Sequence, residues 1–163
     1  MSLGGAMGQT KIDLSKKDRE LYVKISGPID EDFVYDEILK SPANKYILDL
    51  EDVTVLNSCG IREWIKFLSA LGTACQVVYR NCPQMVIYQM GMVKGILCSN
   101  ATIETFFAPY FDEEADKEVK ILLTLDEVKH GKAPSKKGEH GQELEFDALE
   151  ESYFRFLSQL SGQ

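Results

Sequence analysis

Asn57-Ser58-Cys59-Gly60 falls where a β-branched run, YILDLEDVTVL, gives way to a helical apolar pattern. Two chemistries suit a serine at such a junction. A hydroxyl at a helix start caps the free backbone N–H groups of the first turn. A hydroxyl exposed at the positive end of a helix dipole is also a place where a phosphate dianion is tolerated. The two are compatible, and the spacing leaves both open.

The rest of the chain offers little other chemistry. Its two histidines, His130 and His140, lie in a polar stretch and supply neither a triad nor a general base. There is no glycine loop of the G-x-x-x-x-G-K-[ST] type to cradle a phosphate. Asp49 alternates with Leu48 and Leu50 as a strand position does, and Glu51 and Asp52 read as a solvated turn. Cys59, Cys75, Cys82 and Cys98 show no C-x-x-C spacing, and Cys75 and Cys82 flank a strand as small buried hydrophobes. These residues predict no enzymatic activity, no metal and no cofactor.

A net charge of −8 lacks the basic face that a nucleic-acid binder needs. No run approaches the roughly 18 apolar residues of a spanning helix, and no signal-peptide pattern opens the sequence. The expectation is a cytoplasmic chain with reduced thiols, no membrane insertion, and a protein as its partner.

The elements that must position Ser58 follow from periodicity. TKIDL and ELYVKISG alternate as strands around the turn SKKDR, the second ended by Gly27-Pro28. IDEDFVYDEILK, opened by Asp30, predicts a helix up to Ser41-Pro42. Tyr46 to Leu50 reads as a buried central strand. Ile61, Trp64, Ile65, Leu68 and Leu71 share one helical face, closed by Gly72. CQVVY is a further strand. Pro83 opens a helix over QMVIYQMGMVKGIL that Gly91 and Gly95 weaken, and ATIETFF is again a strand. Trp64, Met85, Met90 and Met92 are assigned to core packing.

Beyond this, KEVKILLTLDEV pairs with ATIETFFAPYF across DEEAD as a hairpin. Residues 130–142 form a polar linker, and DEEAD with Lys129, Lys132, Lys136 and Lys137 supplies solvated charges. Asp147 and Glu150 read as an acidic capping pair for a helix over 147–160. Its apolar face is Leu149, Tyr153, Phe156, Leu157 and Leu160, which buries itself on the domain or on a partner. The order ββαβαβαβ predicts an α/β fold, a mixed sheet covered by helices. The chain divides into a flexible leader over 1–9, a domain over 10–107, and an extension over 108–163 made of a β-hairpin, the linker and an amphipathic helix.

LDLEDVTVLNSCGI resembles the signature of STAS domains, the anti-sigma factor antagonist family: a buried strand, an acidic-apolar stretch, a D-S-S-G-like turn, then a helix. CQVVYRNCPQMVIYQMGMVKGIL continues the resemblance, which spans about residues 10–107. It implies a STAS-like sheet and a regulatory, non-enzymatic role in bacterial transcription signalling. It implies that Ser58 is phosphorylated by a partner kinase that is itself the anti-sigma factor. The unphosphorylated form binds that partner and frees the sigma factor, and the phosphorylated form lets go. The implied docking surface is Asn57, Ser58, Cys59, Gly60, Ile61 and Arg62. Asn57 departs from the family's usual aspartate, a departure that weighs against the phosphorylation; Cys59, in place of a second small residue, is a milder one. The tail resembles a zinc ribbon, with Asp112, Ala115, Ser135 and Gly138 at the ligand positions. Zinc needs about four Cys or His ligands, so the resemblance is to a ribbon without its metal.

Two other readings remain. One is a STAS interaction subunit that works without phosphorylation, for example attached to a transporter, which Asn57 favours. The other is a nucleotide or small-anion sensor using the same turn. A homodimer through the aromatic C-terminal helix is compatible with any of them.

Overall fold

The computed structural model of the chain describes residues 8–160, so most of the expected leader, residues 1–7, lies outside the described residues. The first sheet holds β1 (Lys11–Lys17), β2 (Glu20–Ile29), β3 (Lys45–Leu56), β4 (Gln76–Arg80) and β5 (Ala101–Ile103), in that spatial order. β1 runs antiparallel to β2 and the remaining pairs are parallel. Parallel neighbours need crossovers. Here α1 (Asp36–Leu39) lies between β2 and β3, α2 (Ser58–Leu71) between β3 and β4, and α3 (Gln84–Met92) between β4 and β5. This is an α/β fold with a mixed sheet.

Local chemistry explains where the elements depart from periodicity. Gly27-Pro28 does not end β2, which runs on to Ile29; a register shift between Gly27 and Pro28 lets the proline sit opposite Val55. The helix expected over 29–40 shrinks to α1. Its N-terminal half is a turn in which Asp30 Oδ1 accepts from the Asp32 N–H (2.9 Å) and the Asp30 carbonyl from the Phe33 N–H (3.1 Å). Phe33 is held by Trp64 and Phe67, at centroid distances of 5.4 and 5.9 Å. Glu51 and Asp52 lie within β3, which continues through all 12 residues to Leu56, rather than in a turn.

ATIETFF is two strands. Glu104 separates β5 from β6 (Thr105–Asp112), which belongs to a second, antiparallel sheet. That sheet holds β7 (Lys117–Thr124), β6, β9 (Glu143–Phe146) and β8 (Lys136–Lys137), in that order. The expected hairpin is present, pairing Thr105 to Asp112 with Thr124 to Lys117. The stretch 130–142 is not a bare linker, because β8 within it pairs with β9. A short helix α4 (Leu125–Val128) precedes it, opened by a capping box between Thr124 and Glu127.

The terminal helix is short: α5 (Glu150–Tyr153) runs into a 3₁₀ segment, Phe154–Gln159. Asp147 is not its cap. Glu150 instead accepts from the Ala133 N–H at 2.8 Å and meets Lys132, tying the helix to the linker. Leu149 is 75% exposed, off the apolar face. Met92 is likewise exposed, whereas Trp64 and Met90 are buried.

The aromatic face closes on its own chain. Tyr153 meets Tyr88 of α3 edge-on at 5.0 Å, Phe156 meets Phe106 of β6 at 5.3 Å, and Phe154 stacks on Phe146 of β9. The approach is tight: a Cβ at Gly91 would lie 3.2 Å from the Phe156 amide nitrogen. The glycine that weakens α3 as a helix is what admits the extension. The face expected for a homodimer is thus packed, among the described residues, against its own chain.

The hairpin tips are fastened to each other. Asp112, only 3% exposed, accepts from the Glu114 and Ala115 N–H groups through Oδ1 and from Gln142 Nε2 through Oδ2 at 2.7 Å. Within the 138–142 tip itself, the Gly138 N–H donates to the Gln142 carbonyl. A buried carboxylate needs such donors, and the Gln142 amide, followed by the backbone N–H groups, holds this one below the usual range. A lowered folded-state pKa means that the contribution is present above about pH 4, the unfolded value, and is lost as pH falls through the folded one. Thermal unfolding from pH 6 to pH 2 should therefore show the parent protein losing stability below about pH 4 more steeply than Asp112→Asn.

Candidate functional site

The junction ahead of α2 is built from two close contacts. β3 ends at Leu56, paired with Ile29 of β2. Asn57 follows in an extended conformation, and its Oδ1 accepts the Gly60 N–H at 2.8 Å while its carbonyl accepts from Ile61. Asn57 is thus the cap and Ser58 the first helical residue. The capping role open to Ser58 in the sequence belongs one residue earlier, since the amide of Asn57 spans the three-residue gap equally well.

Gly60 is buried against β2. A Cβ there would sit 1.8 Å from the Ile29 carbonyl oxygen and 3.0 Å from the Asp30 nitrogen, both backbone atoms. Of the expected docking residues, Asn57, Ser58 and Arg62 are exposed, Cys59 and Ile61 are half-buried, and Gly60 has no surface to offer. Cys59 and the other three cysteines are free thiols. Burial pushes the Cys82 thiol far up, as a core position should.

Further along α2, Trp64 Nε1 donates to the Tyr79 hydroxyl (2.8 Å), which donates to the Ile96 carbonyl (2.6 Å). All are buried, so each donor and acceptor needs its partner. Burial raises the Tyr79 phenol well above its ordinary value, which keeps it a donor. The chain fixes α2 to β4 and to the segment after α3.

The surface leading to Ser58 is mixed. Val55, 45% exposed, brings apolar area just before the junction, and the loop that starts at Asp30, whose backbone nitrogen lies against Gly60, brings the negative charge of Asp30, Glu31 and Asp32. Lys24 bridges Asp49 (3.5 Å) and Asp52 (3.4 Å). Val34 and Val55 were invisible as a surface in the sequence, because one falls in an expected helix and the other in a strand-like run, where apolar residues read as core.

Among the described residues no three His, Cys, Asp or Glu side chains converge as a metal cluster. Asp112, Ala115 and Gly138 line one gap between the hairpin tips, together with Glu114, His140 and Gln142, and Ser135 is not among its lining residues. Among the described residues no helix is long and apolar enough to cross a membrane. No protein-family model matches the sequence, and a search of curated proteins finds no significant match.

The geometry separates three neighbouring residues by their cost of substitution. In urea unfolding, Asn57→Ala should lose about 1 kcal/mol with its cap, and Ser58→Ala should stay within about 0.5 kcal/mol. Gly60→Ala should lose about 3 kcal/mol, because two backbone segments would have to part.

Proposed function

We propose that this chain is a non-enzymatic regulatory module that binds a protein partner through the β3–α2 junction and is switched by phosphorylation of Ser58. The observation that carries the reading is the exposed Ser58 hydroxyl at the first position of a 14-residue helix whose capping Asn57 performs. The serine is relieved of structural duty and stands where the helix dipole tolerates a dianion. The sheet order β1-β2-β3-β4-β5, antiparallel only at β1, is compatible with a STAS-like domain and supports the comparison with anti-sigma factor antagonists. In this reading the partner is an anti-sigma factor serine kinase in the cytoplasm. It packs on Asn57, Ser58, Cys59, Ile61 and Arg62, with Val55 beside them. A phosphate on Ser58 would have to be desolvated beneath the partner, next to an already acidic surface, and the complex would dissociate.

The neutral Asn57, where a carboxylate would help to orient the serine, favours a second reading: a constitutive interaction subunit with the same docking surface. Phosphopeptide mapping of protein from its native host, with phosphatases inhibited, separates the two. The switch predicts phosphate on Ser58. It also predicts that Ser58→Asp abolishes co-purification of the partner that Ser58→Ala retains, with melting temperatures within about 2 °C of the parent. Equal partner recovery with both variants would favour the constitutive subunit.

A further inference from the structure

β3 outruns its neighbour. Its pairing with β4 stops at Asp49 opposite Arg80, whereas its pairing with β2 continues to Leu56. From Glu51 onward, β3 has β2 on one side and no strand on the other among the described residues. Its burial changes at the same point: Tyr46 to Leu48 and Leu50 are buried, whereas beyond them Val53 alone is buried and Glu51, Asp52, Thr54 and Val55 are exposed. The break is marked by Asp49, whose Oδ1 takes the Glu51 N–H at 3.1 Å.

Where β4 would continue, there is a cleft of about 630 Å³ instead. Glu51 and Asp52 form one wall, Phe107, Ala108 and Lys120 of the β6–β7 hairpin form the opposite wall, and Pro83 to Met85 with Tyr88 of α3 close it below. The hairpin is held at this distance by the β4–β6 junction. There Arg80 pairs with Glu104 through two bonds (2.9 and 3.2 Å), and the Phe107 N–H donates to the Cys82 carbonyl at 2.8 Å. The volume falls within the ordinary range of binding clefts, and it lies at the carboxyl ends of parallel strands, where open α/β sheets bind their ligands.

We infer that this cleft receives an extended segment of a partner protein, which adds as a strand to the open edge of β3 over Glu51–Leu56. Strand addition satisfies backbone groups that an edge leaves unpaired, while pockets beside it select side chains. The side chains selected here are basic and aliphatic in alternation. A lysine or arginine meets the carboxylates of Glu51 and Asp52, the latter's side chain 60% exposed although it shares Lys24 with Asp49. Aliphatic groups meet Met85, Tyr88 and Phe107, and Lys120 is the single opposing cation of the lining. The inference stands on the strand edge and cleft, and holds whether or not Ser58 is modified.

The test uses the full-length ¹⁵N-labelled protein and two blocked heptapeptides, one alternating lysine with valine and one alternating glutamate with valine. The lysine peptide should bind at least about tenfold tighter than the glutamate one, by fluorescence anisotropy. Its binding should weaken as salt rises from about 0.05 to about 0.5 M. On binding, backbone amide exchange should slow within Glu51–Leu56 and not along β1. Glu51→Lys should weaken the lysine peptide, Lys120→Glu should tighten it, and Glu113→Lys, a reversal on the β6–β7 turn, should leave it unchanged. Failure of both peptides to bind, exchange protection elsewhere, or an equal loss from Glu113→Lys would overturn the inference. The last result would mean simple attraction to an acidic protein.

Discussion

Helix α2 begins in contact with the backbone of β2, and only a residue without a Cβ can occupy that contact. The 1.8 Å that a Cβ at Gly60 would leave to the Ile29 carbonyl is far inside any van der Waals limit. With Gly60 seated there, the helix axis is set. Asn57 is brought within reach of the Gly60 N–H, Ser58 is turned to solvent, and Trp64 is delivered to Tyr79. The exposed face of the junction is a by-product of its buried face.

The second sheet grows from the end of the first. β4 gives out at Arg80, and the chain returns at Glu104 to bond that same arginine before turning away as β6. This departure leaves β3 with an unaccompanied second half and sets the hairpin at a distance from it. The open strand edge and the serine turn are thus consecutive along β3, with Leu56 the last residue of one and Asn57 the start of the other.

How much could be read in advance depended on how local the cause was. The apolar period from Ile61 to Leu71 identified α2 because burial on one face decides such a helix. The β6–β7 hairpin followed from two alternating runs around an acidic turn. The expectation of a helix over 29–40 failed because Asp30 bonds its own backbone, and Phe33 is recruited by aromatic residues some 30 positions away. Ser58 was placed at the cap instead of after it, since asparagine and serine compete for the role and the sequence does not show where the strand ends. Glu51 and Asp52 passed for a turn because their exposure comes from the early end of β4, a fact about another segment. The bond from Gln142 to Asp112 spans 30 residues and had no periodic signature at all.

The seat that Gly91 provides for Arg155 and Phe156 bears on how this chain can be divided. α3 belongs to the crossover that completes the first sheet, yet one of its faces is the floor on which the C-terminal aromatic residues rest. A cut between 107 and 108 would pass through the middle of β6 and strip both fragments of partners for Phe106, Tyr88 and Tyr153. The extension packs its aromatic residues on elements of the first part. Residues of both parts share one buried core, and recombination that kept only one part would bare that aromatic surface.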